Sequence, residues 1–116
     1  MTHFESGGIV LVKFPFANLE QSKKRTALIL RETRVTSKSS IITIAMVTSK
    51  VDGLELEGDV LLSHWKETKL LHPSLVRLSK LATIDAELIE RKFGSLHESD
   101  QKVVSRTFKN MYSAWL

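Results

Sequence analysis

The chain contains no cysteine and no apolar run longer than four residues, such as Ile9 to Val12. The first absence excludes a disulfide-stabilised scaffold, a thiolate metal site and a thiol nucleophile. The second excludes a membrane-spanning helix, which needs roughly 18 or more consecutive apolar residues. Residues 1–8 also lack the basic region followed by an apolar stretch that marks a secretory signal. We therefore expect a cytoplasmic protein with no membrane partner.

The familiar motifs for metal and nucleotide chemistry are missing as well. The four histidines are scattered, at His3, His64, His72 and His97, and none lies in an HExxH pattern. Neither GxGxxG nor GxxxxGK[ST] is present. We therefore expect no metal ion and no cofactor. Two histidines that converge in the fold would still permit acid–base cleavage of RNA.

The composition is that of an ordinary globular domain, but the charge is unevenly distributed. With 116 residues, 42% hydrophobic and 26% charged, the chain is expected to form one domain over residues 1–116. Residues 1–50 carry eight lysines and arginines against three acidic residues, whereas residues 51–116 carry nine against ten. A basic half permits binding of a polyanion, although many basic proteins do not bind one.

Short β-branched segments dominate the chain up to residue 84, and a helical pattern ends it. Strands are predicted at 9–14, 26–31, 41–48, 59–62 and 75–84, a polar loop at 17–24, and one or two helical turns at 64–71. Ser95 and Glu98 form a capping-box pattern before the final helix. Its predicted apolar face consists of Val103, Val104, Phe108, Met111, Tyr112 and Trp115. This order predicts an α+β, mainly β fold, a small curved barrel closed by a C-terminal amphipathic helix.

Three segments share a known pattern. Residues 7–30 (GGIVLVKFPFANLEQSKKRTALIL) have a glycine turn, a hydrophobic strand, a polar loop and a basic run before a second strand. Residues 41–50 (IITIAMVTSK) end in Thr-Ser, and residues 73–96 (PSLVRLSKLATIDAELIERKFGSL) contain a strand pair, a helical turn and a Gly-Ser step. In this order they resemble the MazF/PemK family of bacterial toxin ribonucleases. The resemblance implies an SH3-like, CcdB/PemK-type barrel that is usually a homodimer.

The resemblance also implies a function. The chain would be the toxin of a type II toxin–antitoxin system, a sequence-selective endoribonuclease that cuts single-stranded RNA, mRNA in the cell, without metal. The RNA's own 2′-hydroxyl would attack the neighbouring phosphodiester and leave 2′,3′-cyclic phosphate and 5′-hydroxyl ends. The implied partner is a cognate antitoxin whose disordered, acidic segment would occupy the basic groove.

Carried over by position, the family's reactive arginine is Arg25, its threonine is Thr48 and a loop glutamate of some relatives is Glu20. Arg25 can present a planar, bidentate fork to the phosphate, and Thr48 can hold a hydroxyl within reach of it. Glu20 is either a base or an ion-pair partner of Arg25. The residues expected to contact RNA around them are Phe16, Lys23, Lys24, Ser49, Lys50 and Arg77.

Two positions depart from the family pattern. Thr26 follows Arg25 where a proline is common, and Gly8 follows Gly7 where an aspartate is common. Loss of the proline removes a backbone restraint directly after the reactive arginine, because proline fixes φ. The second departure affects a turn and not the chemistry.

Two other functions on the same barrel stay open. One is a non-enzymatic toxin that binds DNA gyrase, like the CcdB-type poisons, with Trp115 and Leu116 as its interaction tip. The other is a catalytically silent relative that serves as a binding module, which the Arg25-Thr26 departure favours.

Overall fold

The computed structural model describes residues 3–15, 22–53 and 55–116. Its strands are β1 (Gly8–Pro15), β2 (Ser22–Arg34), β3 (Ser40–Thr48), β4 (Asp59–Leu61), β5 (Leu75–Asp85) and β6 (Ile89–Ser95). They form one antiparallel sheet in the order β4-β5-β3-β2-β1-β6, and the helix α1 (Glu98–Met111) follows. Short 3₁₀ turns cover Ala86–Leu88 and Ser113–Trp115. The predicted α+β, mainly β class with a C-terminal helix is confirmed.

Strand pairing extends the sheet beyond what local patterns predicted. The loop predicted at 17–24 extends too far along the chain. The strand β2 already begins at Ser22, and Lys24 of β2 pairs with Lys13 of β1. The sequence pattern did not predict the strand β6, because residues 90–92 are three consecutive charged residues and do not alternate with apolar ones. All three are exposed in the structure. The strand forms because its backbone pairs with β1. Residues 64–69 form hydrogen-bonded turns and not a helix.

The C-terminal helix begins and ends differently from the prediction. Its N-cap is His97 and not Ser95, because the His97 side chain accepts a hydrogen bond from the Ser99 N–H. The helix ends at Met111, so the residues after it no longer follow the helical spacing that would place them on its apolar face. Trp115, predicted on the apolar face, is consequently 88% exposed. None of the helices in the described ranges is long and apolar enough to cross a membrane.

Alternation along the strands gives the sheet two apolar faces, since successive side chains point to opposite sides. The helix-side core joins Ile9, Leu28, Ala45, Val47, Val60, Leu62, Val76, Leu78, Leu96 and Val104. The opposite core joins Val10, Val12, Ala27, Ile29, Ile42, Ile44 and Ile84. Phe108 and Met111 of α1 pack on the first, and Phe4 with Leu88 packs on the second. Both faces are therefore covered.

A buried carboxylate attaches the turn segment after β4 to the helix. Asp100, in the first turn of α1, is 2% exposed and accepts hydrogen bonds from the backbone N–H groups of Ser63 (2.9 Å) and His64 (3.0 Å). A carboxylate near a helix N-terminus also interacts favourably with the helix dipole. Residues 63–71, here called the turn segment, thus start from a fixed point on the helix.

A second carboxylate holds the edge strand β4. Asp59 lies opposite Arg77 of β5 in the strand register, and its two oxygens accept from the guanidinium at 2.9 and 3.0 Å. The Asp59 side chain is 3% exposed, which makes the pair bidentate and largely desolvated. The hydrogen bonds from Arg77 hold the pKa of the Asp59 carboxyl below its ordinary value of 3.8.

We predict that Asp59→Asn lowers the free energy of unfolding by about 2 kcal/mol at neutral pH, because it leaves the Arg77 charge without its bidentate partner. A depressed carboxyl pKa stabilises the fold above 3.8, and this stabilisation is lost as pH falls through the lower, folded value. The difference between the two proteins should therefore shrink below pH 3.8 in urea unfolding. Glu90→Gln, which breaks the more exposed Lys24–Glu90 pair, is the control and should cost less than about 1 kcal/mol. A difference that is independent of pH would contradict the assignment.

Candidate functional site

A cleft of about 340 Å³ lies where the ends of β2 and β3, the C-terminal part of the turn segment with the residues after it, and β6 meet. The backbone pairing of β2 with β3 begins at Ala27–Met46. Arg25 and Thr48 each lie two residues beyond that pair, so they lie side by side on neighbouring strands, Arg25 within β2 and Thr48 at the end of β3. The described residues that line the cleft are Lys24, Arg25, Thr26, Val47, Thr48, Ser49, Lys50, Lys69, Leu70, Leu71, His72, Ser74, Arg91 and Phe93.

Arg25 lines this cleft and can offer its positive charge to a ligand. It pairs through its backbone with Val12 of β1, which fixes the strand beneath it, while its side chain is exposed. Within the described ranges, Arg25 has no ion-pair partner. A guanidinium without a carboxylate can offer its planar N–H donors to a phosphate.

Thr48 ends the rigid strand β3, next to the buried Val47. Its Oγ1 accepts a hydrogen bond from the Lys50 backbone N–H at 3.1 Å. Because this bond uses a lone pair, the hydroxyl proton is left to donate to a ligand. The same local turn brings Ser49 and Lys50 to the rim, where both are exposed.

The electrostatics of the cleft favour an anion. Five cationic side chains line it, and among its described lining residues there is no aspartate or glutamate. Lys24 is partly neutralised from outside, since its Nζ lies 3.0 Å from Glu90 Oε2. Arg91 is held over the ring of Phe93, with the guanidinium carbon 4.7 Å from the ring centroid. A concave, positively charged surface of this kind concentrates phosphate groups.

The structure thus brings together five of the residues predicted from the sequence: Lys24, Arg25, Thr48, Ser49 and Lys50. Lys23 is exposed on β2 but does not line the cleft. Arg77 does not line it either, and its guanidinium is engaged by Asp59. Glu20 and Phe16 lie outside the described residues, so their roles stay predictions.

Three ionisable lining residues were missed by sequence reasoning: Lys69, His72 and Arg91. After β4 the chain folds back to the cleft through a series of turns, which bring Lys69 and His72 to its wall. In one of these turns the backbone of Lys69 is in the left-handed region, with φ 64°. Nothing local in the sequence signals that return. Arg91 belongs to the charged run 90–92, which has no alternating pattern, and the pairing of β6 with β1 brings it to the cleft.

Comparison with known proteins adds a family and a fold. The model of the family described as "PemK-like, MazF-like toxin of type II toxin-antitoxin system" matches residues 5–112. Among solved structures, the chain is similar to the Mycobacterium tuberculosis toxin MazF-mt6, with a TM-score of 0.66 and 23% identity over 91% of this chain and 96% of that one. At that identity the structural match supports the fold alone. A comparison with curated protein sequences gave no match.

We predict that the cleft binds single-stranded nucleic acid through its cations. Lys50→Ala should weaken binding of a fluorescent oligonucleotide and lower the slope of log affinity against log salt by about 1, because one phosphate contact and its released counterion are lost. Lys109→Ala, an exposed lysine on the helix, is the matched control. Equal effects of the two substitutions would argue against binding in the cleft.

Proposed function

Because the chain belongs to the family of PemK-like, MazF-like toxins of type II toxin–antitoxin systems, we propose that it is an endoribonuclease that cuts single-stranded RNA in this cleft. One observation carries the proposal. Arg25 and Thr48 lie on neighbouring strands and line one concave site that has five cations and, in its described lining, no carboxylate. This arrangement suits a reaction whose transition state gains negative charge on a phosphate.

The proposed reaction uses the RNA as its own nucleophile. The 2′-oxygen attacks the adjacent phosphorus, the P–O5′ bond breaks, and the products are a 2′,3′-cyclic phosphate and a 5′-hydroxyl. Arg25 stabilises the phosphorane by bidentate donation to its oxygens, and Thr48 donates one further hydrogen bond. None of these steps requires a metal ion.

The reaction also needs a base for the 2′-hydroxyl and an acid for the departing 5′-oxygen. An imidazole is the side chain that exchanges protons most readily near neutral pH, and His72 lines the cleft with an exposed ring. We assign the acid to His72, in place of a guanidinium that keeps its proton. Glu20 remains the candidate base through the family resemblance.

The remaining parts of the proposal come from the family and not from the geometry. They are a cognate antitoxin whose acidic segment covers the cleft, a homodimeric assembly and a cytoplasmic location. The cationic lining gives the first of these a physical basis, since an acidic segment would compete with RNA for the same charges.

A second candidate function is supported by one feature of the C-terminal end. Trp115 is 88% exposed after the helix, which is unusual for a large aromatic side chain. A CcdB-like toxin that binds DNA gyrase would use this tip and would not need Arg25.

We predict that Arg25→Ala lowers the cleavage rate at least ~10²-fold in EDTA, the usual loss when one preorganised donor is removed. RNA binding should fall much less, because the other cations still contact the backbone. Arg25→Lys should recover little, since a point charge cannot reproduce the bidentate fork. Thr48→Val, which keeps the shape without the hydroxyl, should also lose rate while the strand stays folded. The readout is cleavage of a long single-stranded RNA with the product ends mapped.

The same variants separate the two toxins in cells. If Arg25→Ala and Thr48→Val leave growth arrest intact while Trp115→Ala abolishes it, the ribonuclease proposal fails and the gyrase-binding alternative replaces it. Cleavage that requires added magnesium or manganese would contradict the mechanism as well.

We predict that His72→Gln lowers the rate only where the leaving oxygen needs a proton. RNA whose scissile 5′-oxygen is replaced by sulfur releases a thiolate, which needs no acid, so the variant and the wild type should cleave this substrate at similar rates. His3→Gln is the control, because His3 lies outside the cleft lining. An equal loss of rate on both substrates in His72→Gln would remove His72 from the role of the acid.

A further inference from the structure

A second cluster of chemically active side chains lies outside the cleft. His64 and Glu67, three residues apart in the turn segment, face His97, the N-cap of α1. One potential ligand atom from each of the three lies within 4.8 Å of the other two. His97 is 30 residues from Glu67 in the sequence, which is why the scattered histidines predicted no metal site.

His97 has one nitrogen committed and one available. Its Nδ1 accepts from the Ser99 N–H at 3.2 Å and lies 2.8 Å from the Ser99 hydroxyl. The other nitrogen, Nε2, faces Glu67, 3.4 Å from Oε2. The fold therefore fixes the ring so that Nε2 and a carboxylate oxygen point to the same place.

His64 has a buried nitrogen without a hydrogen bond. Its Nδ1 has no partner within the described part of the chain and lies 3.8 Å from Oδ2 of Asp100, the same carboxylate that accepts the His64 backbone N–H. The ring stacks on that of His97, with centroids 3.8 Å apart and planes 12° apart. Two imidazoles and a carboxylate are thus gathered while one buried nitrogen is left unpaired.

We propose that His64, Glu67 and His97 bind one divalent transition-metal ion of the zinc type. When Nε2 of His64 binds the metal, the ring proton lies on Nδ1. This Nδ1–H can donate a hydrogen bond to Asp100 Oδ2 once the 3.8 Å distance between the two atoms shortens slightly. Carboxylate–histidine–metal chains of this kind orient most metal-bound histidines. Two imidazoles and one carboxylate suit Zn²⁺, with water as a fourth ligand. Because an imidazole binds a metal in its own ring plane, one of the two stacked rings must turn out of the stack before both nitrogens lie about 2.0–2.1 Å from the ion.

The ion can enter, and its effect would be structural. The side chains of His64, Glu67 and His97 are 34%, 61% and 36% exposed, so the cluster opens to solvent. The metal would connect the turn segment to the start of α1, beside the bonds that Asp100 already makes. None of the three residues lines the cleft, so this proposal does not depend on the proposed ribonuclease activity.

The test uses full-length protein without a histidine tag, freed of metal by chelation. Zn²⁺ is titrated against a chromophoric chelator, Co²⁺ is followed by its visible absorption, and the melting temperature is recorded with and without Zn²⁺. We expect one ion per chain, a tetrahedral Co²⁺ spectrum, and a rise in melting temperature of about 5 °C or more at saturating Zn²⁺.

The variants identify the ligands. Glu67→Gln, at an exposed position where folding is not at risk, should weaken binding at least ~10-fold, and His64→Gln should abolish the Co²⁺ spectrum. His72→Gln, which removes an exposed histidine outside the cluster, should bind like the wild type. Absence of stoichiometric binding in the wild type would overturn the proposal, leaving the stack as an ion-paired histidine cluster only. Equal losses in His72→Gln and Glu67→Gln would overturn it too.

Discussion

The carboxylate of Asp100 is the constraint on which the described arrangement depends. It is buried in the first turn of α1 and accepts hydrogen bonds from the backbone N–H groups of Ser63 and His64, which lie 37 and 36 positions earlier. A buried carboxylate must keep such donors, because an unpaired one costs several kcal/mol. These two bonds decide where the turn segment starts. Its later residues then run to Lys69 and on to His72 in the wall of the cleft. One side chain of the helix thus supports both the histidine cluster and, through the backbone, the proposed active site.

The register between β2 and β3 forms the other wall of the cleft. Pairing of β2 with β3 brings two residues of unlike chemistry, Arg25 and Thr48, side by side on neighbouring strands, although 22 residues separate them. The two buried cores pack against both faces of these strands. In its described part the lining carries charge of one sign, which attracts an anion without prior rearrangement. Preorganised charge of this kind needs little rearrangement during a reaction.

Sequence reasoning succeeded where the information is local. The strand β3 is free of charge and dense in β-branched residues, so its pattern predicted it within a residue. The family resemblance named Arg25 and Thr48, and the fold places both in the cleft, while their catalytic role stays a prediction. It failed where tertiary pairing overrides local preference. Residues 90–92 of β6 are charged and exposed, and only the β1 backbone makes them a strand. The capping box failed because His97 competes for the same helix end. His72 and the histidine cluster could not be predicted, because turns bring them to their neighbours and turn paths leave no periodic signal.

The central claim, that the cleft between the ends of β2 and β3 receives RNA, is tested most directly by NMR. Isotope-labelled Arg25→Ala protein would be titrated with a short single-stranded RNA that carries 2′-deoxy sugars and therefore cannot be cut. We expect the largest amide shifts at residues 24–26, 48–50, 69–72 and 91, with a smaller response along α1. Shifts concentrated on the exposed lysine face of the helix or around Trp115, with the cleft residues unmoved, would contradict the account.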